Sequence, residues 1–290
     1  MVASAGSPRR RRLRAMKSRF TDYLNQPHVT AENARILSLV PSLTELLFDL
    51  ELDSKLVGRT HYCIHPAEKI AKIPAVGGTK KINMGRVLKL APTHALLNID
   101  ENPKDMAHDL ESLGIEVITT HPMHPNDNIL LYKLVGGIFG ASEKAAQLAQ
   151  DFETARIKLG SATTRPSKRV AYLIWKDPWM AISHDTYIAE MLRLVNWQIM
   201  VPGSNPHADG DLIRYPTVIL NEAGLADLDL VLFSTEPYAF TKDDIARFQE
   251  TFPDHADKAH LIDGEMTSWY GSRAIRGLAY LDHFATSVVT

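Results

Sequence analysis

The chain has 290 residues, 45% of them hydrophobic, with 32 Lys and Arg against 34 Asp and Glu. That length and apolar share can bury a sizeable core in one large domain or two ordinary ones, and the near-neutral balance excludes nucleic acid or an anionic membrane surface as the main partner on electrostatic grounds. The single cysteine, Cys63, excludes an internal disulfide, and no window approaches the roughly 18 uninterrupted apolar residues of a transmembrane span.

Arg9 to Arg12 and Arg14 form a basic run that continues into Lys17, Arg19, Asp22, Asn25 and Gln26 instead of an apolar segment. The expectation is therefore no secretion signal and a cytoplasmic protein. Met16 offers a second start codon, and a mis-annotated start would restore the alternative, a periplasmic one. Residues 1–32 lack periodicity and read as a flexible tail, with a helical tendency near Phe20 to Leu24, so order is expected from Arg35.

From there short apolar runs alternate with helical patterns. ILSLV (36–40) reads as a buried strand, and Pro41-Ser42 opens a helix reaching Leu50. LVG (56–58) leads into the loop HYCIHP (61–66), and VGGT (76–79) forms a turn whose glycines permit angles closed to other residues. A helix over 86–90, a strand ALLN (95–98), the polar loop Asp100, Glu101, Asn102, a helix over 105–113 and a strand EVITT (116–120) complete an N-terminal α/β lobe over 33–137. SEKAAQLAQDFETARIKL (142–159) carries Ala145, Leu148, Ala149, Phe152 and Ala155 at helical spacing and opens on Ser142, a capping residue type. It would span roughly 27 Å. As the centre of a connecting segment over 138–162 it reads as a strut between halves, or as one more surface helix of a single domain. The C-terminal lobe over 163–290 repeats the logic, with strands at 169–175, 229–234 and 260–263 and helices at 185–195 and 242–251. The fold class is α/β, with mainly parallel sheets covered on both faces.

Ligands of open parallel sheets sit beyond the carboxyl ends of the strands. The loops there hold Tyr62, Glu101 and His121 in the first half, and Trp179, Glu236, Tyr238, Glu265, Trp269 and Tyr270 in the second. Flat aromatic faces with a carboxylate suit a large planar ligand. Trp175, inside its strand, is expected in the core. Arg273 would either bind a ligand carboxylate or pair with Glu265, the pair being preferred. His61, Cys63 and His65 form an H-x-C-x-H cluster, and His121 and His124 an HPMHP one; imidazole and thiolate are good metal ligands, although this spacing fits no common zinc pattern. A single axial imidazole, from His61, His65 or His184, would be a middle case.

ILSLVPSLTELLFDL, the later VGGT and the two-lobed layout with its long central helix resemble the class III ABC-transporter substrate-binding proteins, the helical backbone metal receptors that capture cobalamin, haem and ferric siderophores. The likeness covers residues 34–290. CIHP (63–66), WKDPWMA (175–181), STEPYAF (234–240) and DGEMTSWYGSR (263–273) are similar to signatures of a signal-less, cobalamin-binding-like branch of that class. The resemblance implies the periplasmic-binding-protein fold, two Rossmann-like α/β lobes joined by one long rigid helix, with limited closure on a bulky metal chelate. It implies ligand contacts at Tyr62, Glu101, Asn102, Trp269 and Tyr270. It also implies one surface glutamate per lobe for docking a transporter permease: Glu222 falls on the second-lobe position, while the first-lobe position falls on Gly85, which argues against an ordinary transport role.

An enzyme would need a nucleophile, a base and an oxyanion site within mutual reach. The chain has no G-x-S-x-G elbow, P-loop or H-E-x-x-H, leaving Cys63 beside His61 or His65, Glu265, or a phosphate cradle at VGGT. The expectation is a non-enzymatic carrier, sensor or scavenger of a metal chelate or corrinoid, without a tightly bound cofactor. The alternatives are a periplasmic transporter component and an enzyme that modifies a small molecule in the cleft.

Overall fold

The computed structural model describes residues 19–161, 165–203 and 213–288. The first lobe is built from β3 (Ile36–Ser38), α1 (Pro41–Asp49), β4 (Leu56–Thr60), α2 (Ala67–Ile70), β5 (Ala75–Gly77), α3 (Met84–Leu90), β6 (His94–Asn98), α4 (Lys104–Ser112), β7 (Glu116–Thr120) and α5 (Asp127–Phe139). It follows a short antiparallel pair, β1 (Arg19–Thr21) and β2 (Pro27–Val29). Helix α6 (Ser142–Ser161) leads to the second lobe: β8 (Lys168–Trp175), β9 (Met180–Ala181), α7 (Tyr187–Arg193), β10 (Trp197–Ile199), α8 (Glu222–Ala226), β11 (Leu230–Ser234), α9 (Lys242–Thr251), β12 (Ala259–Ile262), α10 (Gly264–Ser268) and α11 (Arg273–Ser287). The sheets run in the orders β5-β4-β3-β6-β7 and β10-β8-β11-β12; every pairing within them is parallel, and β9 adds an antiparallel edge to β8.

The two-residue period of the strands sorts their side chains into separate cores. On β8, Val170, Tyr172 and Ile174 point into a core shared with the first lobe, while Ala171 and Leu173 point into a core private to the second. On β3, Ile36 enters the shared core, and Leu37 faces a private one with Val87, Leu97 and Leu110. Leu43 and Leu46 of α1, Tyr132 of α5, Phe152 of α6 and Leu278 of α11 complete the shared core. Helix α6 buries Ala145, Phe152 and Leu159, with Leu148, Ala149 and Ala155 partly covered beside them. It packs on α5 of the first lobe and α11 of the second, so it is a strut and not a surface helix of one sheet. Burying apolar surface is worth about 25 cal/mol per Å², so opening the lobes along this seam is costly.

A second tie is ionic. Arg273 of α11, 4% exposed, donates from Nε to Glu45 Oε2 of α1 at 2.7 Å and from a terminal nitrogen to Glu45 Oε1 at 3.0 Å. Arg276 adds a further bond to Glu45. Glu45 is itself buried.

Three expectations are corrected. First, the tail expected over 1–32 is built into the fold from Arg19 onward, as strands and not the helix expected near Phe20 to Leu24; residues 1–18 lie outside the described part. The reason is β7, an edge strand whose free backbone groups need partners. Tyr23 N donates to Thr119 O at 3.0 Å, and Thr119 N donates to Asp22 Oδ2 at 3.0 Å. Phe20 lies against Gly137 of α5, in space a Cβ would occupy. Second, the connecting segment expected over 138–162 is divided: α5 runs through 138 and ends at Gly140, whose φ of +82° suits glycine, while the joining helix starts at Ser142, where the periodic pattern opens. Third, Trp175 is 41% exposed, since it ends β8 and its ring turns edge-on to Tyr238.

Replacing a helical glycine by alanine normally stabilises by about 1 kcal/mol, so Gly137→Ala separates propensity from packing. The variant is expected to lose about 1–3 kcal/mol by overpacking against Phe20, measured by urea unfolding, with part recovered when Phe20→Ala is added. Glu45→Ala leaves the buried Arg273 with Glu265 alone and strands two of its donors, and is expected to cost about 1–3 kcal/mol in the same assay.

Candidate ligand-binding cleft

The loops at the carboxyl ends of the two sheets face one another, and several of their side chains meet. His65, after β4, places Nε2 3.0 Å from Glu265 Oε2 of α10. Arg273 also reaches Glu265, donating to Oε2 at 2.8 Å, so the preferred pair forms. Its guanidinium lies 4.9 Å from the Trp269 ring centre, and His65 meets that ring edge-on at 5.6 Å. Trp269, 8% exposed, donates from Nε1 to Glu236 Oε1 at 2.5 Å, and Ser268 Oγ donates to the same oxygen at 2.9 Å. The next residue, Tyr270, donates its hydroxyl across the cleft to Glu101 Oε1 at 3.0 Å. Neighbouring aromatics of one loop thus hold one carboxylate from each lobe. At the rim, Arg214 donates to Asp100 Oδ1 at 2.5 Å and lies beside His121.

Local sequence explains these positions. Asp263 caps α10, its side chain accepting from Met266 N, which turns the chain so that 268–270 follow at the cleft. Gly264 has no room for a Cβ, since Glu236 and Ser234 fill that space. Gly78 lets the rings of His61 and Tyr62 lie 3.2 Å from where its Cβ would be. The Tyr62 ring is 56% exposed, an apolar face on the rim with no protein covering most of it.

Burial drives the electrostatics. It pushes Glu101 from 4.5 up to about 7, with Glu236 adding to the rise and the Tyr270 hydroxyl and Lys80 opposing it. Burial likewise raises Glu236, against the donors Ser268 and Trp269 and with help from Glu265. Burial holds the Tyr270 phenol far above its usual range, so it keeps the proton it donates to Glu101. Asp100 goes the other way: burial would raise it, but the bonds and charges of His121 and Arg214 prevail and lower it.

Other expected site residues lie elsewhere or serve structure. Asn102 is buried and spent: Nδ2 donates to Leu39 O and Thr79 O, and Oδ1 accepts from Asn98 N. Trp179 stacks on Phe240 at 5.9 Å and meets Phe233 edge-on, as part of the outer core of the second lobe. Tyr238 packs between Trp175 and Phe240. His184 lines a recess of about 390 Å³ with Arg193, Asn196 and Trp197 beside β10. Glu222, in the first turn of α8, is exposed and pairs with His255 at 2.9 Å; Gly85 lies exposed on α3.

Among the described residues no three His, Cys, Asp or Glu side chains are placed to hold a metal ion. The H-x-C-x-H cluster splits because its members point different ways. Cys63 turns inward, accepting from Thr44 Oγ1 at 3.0 Å and lying 3.1 Å from Thr60 Oγ1, while His61 stays exposed against Tyr62 and His65 faces Glu265. Burial also pushes the Cys63 thiol up, which disfavours the thiolate. His121 meets Asp100 and the Tyr23 ring, and His124 lies 3.8 Å from Glu190, so these two do not form a pair of ligands either. The VGGT turn cradles no phosphate through Gly78, whose N–H bonds Lys81 O.

Residues that sequence reasoning missed include Glu45, Asp100 and Arg214. Glu45 left a trace, a lone acid among the leucines of an apolar helix. Arg214 left none, since nothing local shows that it reaches the first lobe.

Comparison with known proteins agrees with this fold. The "Periplasmic binding protein" family pattern matches residues 36–255. An uncharacterized ABC transporter substrate-binding lipoprotein of Bacillus subtilis is 28% identical over 178 residues, 58% of this chain and 55% of that protein. A vitamin B12-binding protein of Yersinia pestis is 27% identical over 214 residues, 72% of this chain and 75% of that one. Among solved structures, the periplasmic vitamin B12 binding protein of Vibrio cholerae superposes with a TM-score of 0.74 at 18% identity, covering 89% of this chain and 99% of its own. The periplasmic heme-binding protein from Roseiflexus sp. RS-1 in apo form gives 0.72 at 18%, covering 89% and 100%. With two parallel-sheet lobes on one joining helix, and a family pattern spanning both, the chain belongs to the periplasmic binding protein family, in keeping with its resemblance to the class III substrate-binding proteins.

Proposed function

We propose that the protein binds a bulky metal chelate or corrinoid in the cleft between its lobes and delivers it to an ABC transporter permease. The observation that carries this reading is that the adjacent rings of Trp269 and Tyr270 bind Glu236 of the second lobe and Glu101 of the first, with the ring of Tyr62 exposed on another loop at the carboxyl end of the first sheet. A vitamin B12-binding relative and fold neighbours that bind vitamin B12 or heme support the ligand class. The lobes arrive locked by a common core, so the cleft is largely preformed and little binding energy goes into ordering it.

A binding role fits better than chemistry: the inward Cys63 removes the one candidate nucleophile pair, and the named relatives are binding proteins. Their names, with that of the family, support work outside the cytoplasm over the cytoplasmic expectation. No helix among the described residues is long and apolar enough to cross a membrane. Glu222 would provide the second-lobe contact to the permease, while Gly85 leaves the first-lobe contact without a carboxylate. No tightly held cofactor is required.

Titration with cyanocobalamin, haem and ferric siderophores, followed by absorbance and melting temperature, tests the reading. Binding of one of them at micromolar concentration or below is expected, and Tyr62→Ala should weaken it about tenfold, or about 1.4 kcal/mol. No response to any of them at high micromolar concentration would overturn the assignment.

Glu101 adds a pH dependence. A carboxyl raised on folding from 4.5 to about 7 holds its proton more tightly folded than unfolded, so stability is lost as pH rises through that window. Glu101→Gln removes this loss and still accepts the Tyr270 hydroxyl. The variant should melt close to wild type at pH 4.5 and about 5–6 °C above it at pH 8; a constant gap across that range would contradict the burial argument.

A further inference from the structure

The charges of the cleft say what kind of periphery its ligand carries, an inference that rests on the binding reading above. Three carboxylates, Glu101, Glu236 and Glu265, belong to or are bonded by the one segment 265–270: Glu236 accepts from Ser268 and Trp269, Glu101 accepts from Tyr270, and Glu265 opens the segment; Glu236 adds to the rise of Glu101, and Glu265 to that of Glu236. Among the described residues, Glu101 and Glu236 receive hydrogen bonds only from neutral donors, the Tyr270 hydroxyl, the Trp269 indole and Ser268, each on a single oxygen, Oε1. The second oxygen of each carries no protein hydrogen bond among the described residues.

The guanidinium groups around them are committed. Arg273 uses Nε and one terminal nitrogen on Glu45 and the other on Glu265. Arg214 is shared among Asp100, the Asp185 carbonyl and Met123 Sδ. Lys80 donates to the main-chain oxygen of Asp100 at 2.8 Å. A ligand bearing free carboxylates would therefore meet carboxylates of like charge, in a cleft where screening by water and salt is reduced, with the exposed Lys80 ammonium to offset them unless it pulled a guanidinium from an existing partner. A ligand bearing amides or ammonium groups would find carboxylate oxygens that accept no protein hydrogen bond among the described residues, and an acceptor remains whether Glu101 is ionised or protonated.

We infer that the cleft selects chelates whose rim carries hydrogen-bond donors, amide or ammonium, and discriminates against those whose rim carries carboxylates. The discrimination works through repulsion as much as attraction.

Two ligands with the same corrin ring isolate this property: dicyanocobinamide, whose rim is amidated, and dicyanocobyrinic acid, whose rim bears carboxylates. Calorimetric titration at pH 7.5 should show cobinamide binding at least tenfold more tightly, and the double variant Glu101→Gln, Glu236→Gln should shrink that ratio severalfold. Haem, with two propionates, and ferrioxamine B, a cationic hydroxamate chelate, extend the comparison to other rings; binding of ferrioxamine B but not haem would also support the selection. Equal or tighter binding of cobyrinic acid, or of haem over both amidated corrinoid and ferrioxamine B, would overturn the charge selection and leave the cleft as a receptor. Failure of all four to bind would overturn the receptor reading itself, and the selection with it.

Discussion

Much of this molecule follows from one constraint: the inner faces of two parallel sheets are buried against the same set of helices. A strand has two faces, and here one face of each sheet closes a private core while the other enters the common one with α1, α5, α6 and α11. The lobes cannot be separated without exposing Phe152, Tyr132, Tyr172 and Leu278 together. Close packing of this kind is unforgiving of large displacements, so the strand ends that carry the cleft loops are held at a fixed separation.

The polar chemistry across the cleft depends on that separation. Tyr270 reaches Glu101, and His65 reaches Glu265, because both walls are already in place. Arg273 contributes at both levels, since its planar fork takes Glu45 on one side and Glu265 on the other. A buried ion pair adds little stability over an apolar substitute, but it fixes geometry strongly because any other pairing would leave a charge uncompensated. The cleft carboxylates are the counterpart: Glu101 and Glu236 are half-buried with no cation hydrogen-bonded to them among the described residues, a cost that shows in their raised proton affinity.

Much of the architecture was legible in local pattern. The apolar runs at 36–40, 95–98 and 229–234, and the face of 142–159, are set by periods of two and 3.6 residues that short stretches carry by themselves. Helix α5 escaped notice because its apolar residues surround it, with no polar face to reveal the period, and because Gly136 and Gly137 read as breakers. Their purpose is close approach: Ala145 and Phe20 fill the space their side chains would take. The N-terminal hairpin escaped for a related reason, since its strands are three residues each and exist to cover the edge of β7.

The site divided along the same line. Sequence alone placed Glu101, Glu236, Glu265, Trp269 and Tyr270 on cleft loops, because loop position follows from strand position. It did not determine which of them face one another, and it overcounted wherever residue type stood in for direction: Trp179 and Asn102 turn into the protein, Cys63 turns away from its two histidines, and Trp175 turns out of the core. Side-chain direction at a strand end or in a loop is decided by whatever packs against it, and those partners come from up to some 200 residues away, as Glu265 does for His65. The elements were therefore written in the order of the residues, whereas the alignment of their carboxylates, rings and guanidinium groups was decided only when the two lobes closed on a common core.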